Sequence, residues 1–142
     1  MGIEPGVYII NNHKNNYAAM MYANDSEGVP IACVPNPNIQ TEFLVEESGL
    51  GSNRYILSST RFPYRIGAAP DNLQVQDYPF TTLNNFQWSI EPAGPDCFKI
   101  HIPNMNVCWF LPDTEDNEIR ILLRPAEGYP EEIWKMVRIR DN

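Results

Sequence analysis

Residues 86–92 read FQWSIEP and place Trp88 and Ile90 two positions apart. Side chains two residues apart in a strand lie on the same face, so this pair predicts a strand with one apolar face. The same spacing recurs at intervals of 45 and 46 residues, in Phe43 with Val45 and in Trp134 with Met136. A fixed period of this length indicates a structural repeat.

A second series of pairs lies between the first. Each pair again joins an aromatic and an aliphatic residue two positions apart, at intervals of 47 and 43 residues: Tyr8 with Ile10, Tyr55 with Leu57, and Phe98 with Ile100. Two interleaved threefold series, with four strands per unit, predict an all-β fold of the β-trefoil type. In that fold a six-stranded barrel is capped at one end by three hairpins, giving twelve strands in three pseudo-repeats. A β-sandwich with chance alternation is the alternative.

Short runs of alternating apolar and polar residues occur along the whole chain. Turn residues such as Asn, Pro, Gly and Asp separate them, a pattern typical of strands rather than helices. The twelve predicted strands cover residues 7–11, 17–22, 30–34, 41–46, 54–58, 64–66, 73–75, 86–91, 97–102, 108–111, 119–123 and 133–139.

Length, composition and charge limit the number of domains and the classes of partner. The chain has 142 residues, 43% of them hydrophobic and 11% aromatic, which predicts one folded domain over residues 1–142. The formal net charge of −8 at pH 7 repels phosphate backbones and anionic lipid surfaces, so nucleic acid and membranes are poor candidate partners. Neither a secretory signal nor an apolar run long enough to cross a bilayer is visible, which predicts a cytoplasmic location.

Residue types that carry catalysis are few. His13 lies in an Asn-rich turn, and His101 alternates with two isoleucines, so neither forms a recognised nucleophile motif. The acidic cluster of Asp113, Glu115, Asp116 and Glu118 lacks the glycine and terminal glutamate of a calcium-binding EF-hand loop. The three cysteines, Cys33, Cys97 and Cys108, contain no CxxC pair and are predicted to be reduced structural thiols. We therefore predict a non-enzymatic protein without a metal or cofactor.

Four segments carry a resemblance to a known group of proteins. They begin at Pro5 (PGVYII), Phe86 (FQWSIEP), Phe98 (FKIHIPN) and Glu132 (EIWKMV). In strand order along the whole chain they resemble the β-trefoil protease inhibitors of mushrooms, which include clitocypin, macrocypin, the cospin-like inhibitors and the cocaprins. The chain is most similar to the cocaprins in size and acidity. The resemblance implies reversible inhibition of cysteine and aspartic proteases through separate surfaces, and it is compatible with a homodimer.

The loop between the second and third predicted strands is the candidate protease-binding site. Papain-like cysteine proteases can be blocked by a compact loop that fills the cleft and needs no particular specificity side chain. Gly28 allows close backbone approach, and Pro30 stiffens the end of the loop. The predicted contacts are Asp25, Ser26, Glu27, Gly28 and Val29.

The acidic composition suggests aspartic proteases as a second target. In strong acid the carboxylates become neutral while 10 Lys and Arg and 2 His stay charged, so the formal charge moves towards +12. A cationic protein would be attracted to the low-pKa carboxylates of such enzymes. The sequence assigns no residue to this site.

Two alternatives remain open. A trypsin inhibitor needs an exposed basic residue; the candidate loop has none and Pro125 follows Arg124, which leaves Lys14 and Arg61. The mushroom inhibitors that the chain resembles include legumain inhibitors, which present an Asn in the loop after the fifth strand. Residues 58–63 hold no Asn, which argues against legumain as a target. A carbohydrate-binding lectin is the other alternative, with Tyr22, Tyr78 or Tyr129 as a stacking surface, although the Gln-x-Trp repeat of such lectins is missing.

Overall fold

The computed structural model describes residues 3–12, 17–19 (backbone), 26–36, 41–49, 53–114, 116 and 118–141. Thirteen strand segments lie in this part of the chain. They are β1 (Gly6–Asn12), β2 (Tyr17–Ala19), β3 (Ala32–Val34), β4 (Glu42–Glu47), β5 (Arg54–Ser59), β6 (Arg65–Gly67), β7 (Phe80–Thr82), β8 (Trp88–Gly94), β9 (Cys97–His101), β10 (Val107–Phe110), β11 (Ile119–Arg120), β12 (Leu122–Pro125) and β13 (Trp134–Arg140).

Six of these strands close a barrel. Each pairs antiparallel with two neighbours, in the order β1, β4, β5, β8, β9, β13 and back to β1. Because the circle is complete, every barrel strand has a hydrogen-bonded neighbour on each side. Three hairpins, β2 with β3, β6 with β7, and β10 with β12, continue from the ends of β1, β5 and β9. The molecule is therefore a β-trefoil, as the two residue series predicted.

Each repeat contributes two barrel strands and one hairpin. The first repeat is β1–β4, the second β5–β8 and the third β9–β13. The thirteenth segment arises because Ile121 alone separates β11 from β12, and its amide donates instead to the Ile31 carbonyl at 3.0 Å. One predicted strand is thus observed as two segments.

Eleven of the twelve predicted strands overlap an observed strand. The prediction of a strand at residues 73–75 is wrong, because Pro70–Asn72 forms a 3-10 turn and the amides of Val75 and Gln76 donate to the Asn72 carbonyl. Val75 is 71% exposed and has no apolar face to pack against. The third strand of the second repeat is β7, seven residues closer to the C-terminus.

The repeated aromatic residues form the core. Eleven of the twelve side chains in the two series are buried, and Phe98 is partly buried against them. Trp109 belongs to neither series, yet its ring lies 5.6 Å from both Trp88 and Trp134 in edge-to-face contacts. The indoles of Trp88 and Trp134 donate to the carbonyls of Ile66 and Trp109 at 2.8 and 3.1 Å. These equivalent bonds attach two of the hairpins to the barrel.

A buried carboxylate holds the connection that precedes β13. Glu132 is fully buried and accepts the amides of Glu127 and Gly128 at 2.8 and 3.1 Å, while the Lys99 ammonium lies 3.8 Å away. Burial alone would raise the pKa of Glu132, but the backbone donors, including that of Tyr129, and Lys99 outweigh it and lower the pKa. The carboxylate therefore supplies the hydrogen-bond acceptors that solvent would otherwise provide to the amides of this turn.

The three cysteines are free thiols. Burial raises the pKa of Cys33 and raises that of Cys108 to about 12, which suits unreactive core residues. Within the described residues, no helix is long and apolar enough to cross a membrane.

Candidate functional site

The predicted protease-binding loop lies between β2 and β3 and rests on β7 of the second repeat. Ser26, Glu27 and Gly28 are exposed and Val29 is half-buried, whereas Asp25 lies outside the described residues. The amide of Gly28 donates to the Thr81 carbonyl at 2.7 Å, and the Thr81 amide donates to the Val29 carbonyl at 2.9 Å. The loop is thus attached to a strand more than fifty positions away in the chain.

The side chain of Thr81 adds two further hydrogen bonds. Its hydroxyl accepts the Val29 amide at 3.0 Å and donates to the Ser26 carbonyl at 2.9 Å. Thr81 is fully buried, so these bonds form where water does not compete for them. One threonine therefore connects both ends of the exposed segment, and we call it the loop clamp.

Glu27 links the candidate loop to the second repeat. Its carboxylate accepts the Leu83 amide at 2.9 Å, so it connects the candidate loop to the β7–β8 connection and is not directed only outward. Leu83 itself is 52% exposed beside it. The sequence pattern does not predict this neighbour, because it places the third strand of the second repeat at residues 73–75. The exposed tip therefore comes from two repeats.

Gly28 adopts a backbone conformation that favours glycine. Its φ is +81°, and a Cβ at this position would have no heavy atom within 4 Å outside Gly28 and its two chain neighbours. The tip of the loop therefore faces open space, and a side chain added there would project outward. The absence of a side chain lets another surface approach the backbone closely.

The other predicted residues lie elsewhere. Arg61 is exposed in the β5–β6 turn, whereas Arg124 lies on β12 and pairs with Asp77 at 3.0 Å. The ring of Tyr78 is covered by the Arg120 guanidinium, 5.0 Å from its centroid, while Tyr129 is 51% exposed. Lys14 and Tyr22 fall outside the described residues.

The histidine and the acidic cluster show no catalytic arrangement in the described residues. His101 lies 3.5 Å from the Glu91 carboxylate, and its pKa is lowered chiefly by burial, with Glu91 acting in the opposite direction. The described part of the acidic cluster lies in the β10–β11 connection. No group of three His, Cys, Asp or Glu side chains among the described residues is arranged to hold a metal ion. His13 and Glu115 fall outside those residues.

A groove runs along the barrel wall between the second and third repeats. It has two adjoining lobes of about 410 and 490 Å³, which share Arg54, Ile102, Asn104 and Met105. The guanidinium of Arg54 donates to Ser89 Oγ at 3.1 Å and to Asn104 Oδ1 at 3.3 Å. This groove is separate from the loop clamp and was not identified from the sequence.

No family model matches the sequence, and no curated protein matches it either. Solved structures do match in fold. The agglutinin of Rhizoctonia solani has a TM-score of 0.85 at 15% identity, covering 98% of this chain and 99% of that chain. The ricin B-like lectin of Macrolepiota procera, solved with lactose, has a TM-score of 0.79 at 18% identity, covering 96% and 99%. A proteinase inhibitor from Coprinopsis cinerea has a TM-score of 0.73 at 17% identity, covering 96% and 99%.

This chain shares its fold with lectins and with a proteinase inhibitor. Identities of 15–18% establish the fold alone. The function of this chain must therefore be argued from its own loops and grooves.

Proposed function

We propose that this protein is a reversible, non-enzymatic inhibitor of papain-like cysteine proteases that blocks the substrate cleft with residues 25–29. The observation that carries the proposal is the loop clamp. Four hydrogen bonds to Thr81 hold a segment whose tip is exposed. The similarity in fold to a proteinase inhibitor supports the same class of function.

A held loop suits inhibition for an energetic reason. Ordering one residue of backbone costs about 1–2 kcal/mol, so a loose segment of four residues would lose about 4–8 kcal/mol on binding. Here folding has already met that cost, and more of the interaction energy remains for affinity. Gly28, whose Cβ position is open, would let the backbone enter a narrow cleft.

Exposed Leu83 extends the proposed contact. It lies beside the candidate loop because its amide donates to Glu27. Burial of an exposed apolar side chain in an interface is favourable, and exposed Leu83 would add apolar contact area beside Ser26, Glu27 and Gly28. We therefore add Leu83 to the predicted contacts.

Acid aspartic proteases are the second proposed target class. The basis is charge, since a chain of net charge −8 at pH 7 becomes positive in acid as its 18 carboxylates are neutralised. The cytoplasmic location and the homodimer stay predictions.

The test is inhibition of papain, trypsin and pepsin, each at its working pH, by the wild type and two glycine variants. Gly28→Glu places a charge at the loop tip, and we expect papain inhibition to weaken at least tenfold because a cleft would have to desolvate it. Gly49→Glu is the matched control. Gly49 has a φ of +79° and nothing within 4 Å of its Cβ position, so backbone strain and added charge are the same.

The pattern of inhibition distinguishes the proposed site from the alternatives. Papain inhibition that falls in Gly28→Glu and persists in Gly49→Glu supports the proposed site, and added pepsin inhibition supports the second target. Equal inhibition by both folded variants would move the site to another loop. Inhibition of trypsin alone would favour exposed Arg61 as the contact residue. No inhibition of any of the three enzymes would reject the inhibitor proposal.

A further inference from the structure

Two tyrosines of the second residue series hold the chain near its N-terminus across one end of the barrel. Tyr8 and Tyr55 are buried near the starts of β1 and β5, at the barrel end away from the hairpins. The hydroxyl of Tyr8 donates to the Glu4 carbonyl at 2.6 Å. The hydroxyl of Tyr55 accepts the Ile3 amide at 2.8 Å and donates to the Ile3 carbonyl at 3.2 Å. Residues 3 and 4 therefore cover this barrel end on the side of the first two repeats.

The third member of the series is a phenylalanine, and a pocket lies beside it. Phe98 is near the start of β9 and has no hydroxyl that could bind the N-terminal segment. It is only half-buried, whereas Tyr8 and Tyr55 are buried. The pocket has a volume of about 350 Å³ and is bordered by both Ile3 and Phe98. The N-terminal segment thus closes two sides of the barrel end and leaves the third side open.

The lining of this pocket is mostly apolar. Phe98, Met136 and Val137 form part of it, together with Ile3 and Tyr8. Its volume lies at the lower end of the range of about 300–1,000 Å³ that is usual for small-molecule sites, and the mouths of β-barrels are a common place for such sites. Val137 is 41% exposed, so a ligand that covered it would remove apolar surface from water.

The charged residues of the lining are Glu4, Asp96 and Arg138, so two carboxylates face one guanidinium and the formal charge is −1. The guanidinium is already occupied, because it donates to the Pro5 carbonyl at 2.9 and 3.1 Å and pairs with Glu4 at 3.6 Å and with Asp141 at 2.8 Å. Within the described part of the chain, the Asp96 carboxylate has no ion pair. The pocket therefore attracts a cation more than an anion.

We propose that this pocket at the barrel end binds a small amphipathic amine, with one ammonium group on an apolar body. The body packs against Phe98, Met136 and Val137, which removes their surface from water. The ammonium lies on the side of Asp96 and Glu4, whereas a carboxylate ligand would meet them as like charges. The pocket contains none of residues 25–29, so it is independent of the proposed protease contact.

The experiment is a two-dimensional amide NMR titration of the full chain with phenethylamine, phenethyl alcohol and hydrocinnamate. All three ligands have the same phenylethyl body and differ in charge. We expect phenethylamine to shift the resonances of Phe98, Met136 and Val137 in a saturable manner. It should bind about fivefold more tightly than the alcohol, and the carboxylate should bind most weakly.

Three results would overturn the proposal. The first is the absence of a saturable shift at these residues with the amine. The second is binding of the alcohol or the carboxylate that is as tight as that of the amine. The third is a shift at these residues that depends on protein concentration alone, because it would assign the pocket to a contact between two copies of the chain.

One pair of variants tests the charge of the pocket. Asp96→Asn removes a carboxylate at a φ of +57°, a conformation that asparagine also tolerates. We expect affinity for the amine to fall about fivefold and affinity for the alcohol to stay the same. Asp71→Asn is the matched control, since Asp71 is exposed on the Pro70–Asn72 turn and outside the pocket. An equal loss in the control, or no loss in Asp96→Asn, would overturn the proposal.

A second pair of variants tests the position of the ligand. Val137→Lys places an ammonium in the lining at an exposed position of β13, and we expect amine affinity to fall about tenfold or more. Ile139→Lys is the matched control, because Ile139 is 39% exposed on the same strand and does not line the pocket. Papain inhibition should be the same in both variants. Unchanged amine affinity in Val137→Lys, or the same loss in Ile139→Lys, would overturn the proposed site.

Discussion

Removal of the Thr81 hydroxyl tests the loop clamp. Thr81→Val keeps nearly the same shape but deletes the group that accepts the Val29 amide and donates to the Ser26 carbonyl. A typical hydrogen bond contributes about 0.5–1.5 kcal/mol net, so the loss of two should destabilise the held loop by about 1–3 kcal/mol. The two backbone bonds of Thr81 remain, and the barrel should stay folded.

The loss should appear in both exchange and inhibition. We expect faster amide hydrogen exchange at Gly28 and Val29, with little change in the barrel strands. If the variant must order the loop on binding, 1–3 kcal/mol corresponds to an inhibition constant for papain that is about 5- to 150-fold higher. Thr60→Val is the control, since Thr60 is exposed and its hydroxyl makes one long hydrogen bond of 3.4 Å on another loop.

Two results would refute this reasoning. Unchanged exchange at Gly28 and Val29 would mean that the hydroxyl does not hold the loop. Faster exchange with an unchanged inhibition constant would mean that the loop is held as described but does not contact the protease. The control variant must show neither effect, because a general response to Thr→Val would assign the change to overall stability.

Three further predictions concern the buried ionisable groups. Glu132→Gln should lower the free energy of unfolding by about 2–4 kcal/mol, because the turn loses charge-assisted hydrogen bonds and the Lys99 ammonium loses its partner. A urea titration that shows a loss of less than about 1 kcal/mol would contradict this. Stability should fall in acid, because the lowered pKa of Glu132 contributes stability that is present above about pH 4.5 and lost below it. The lowered pKa of His101 acts in the same direction below pH 6.5, and a flat stability profile from pH 7 to 3 would reject both. In the native protein Cys97 should react with a thiol reagent well before Cys33 and Cys108, and rapid labelling of all three would show that the core thiols are accessible.

The fold could be predicted because its signal is local and repeated. An aromatic and an aliphatic residue two positions apart define one face of a strand, and three copies of two such pairs define the six barrel strands. The error at residues 73–75 has a local cause as well. That segment alternates like a strand, but Pro70 begins a turn, and no neighbouring strand is available to bury Val75.

The position of the candidate loop was readable from the order of strands and turn residues, but its partners were not. Thr81 holds Ser26 and Val29 across more than fifty positions, and Glu27 reaches Leu83 across 56. Which hydroxyl meets which amide depends on how the repeats pack around the threefold axis, and alternation along one strand carries no information on that.

The groove shows the same limit. Arg54, Ser89 and His101 are ordinary polar residues in the sequence, and they lie side by side because β5 pairs with β8 and β8 pairs with β9 in this register. Hydrophobic periodicity records which face of each strand is buried, whereas the neighbours of an outward-facing side chain follow from the closure of the barrel.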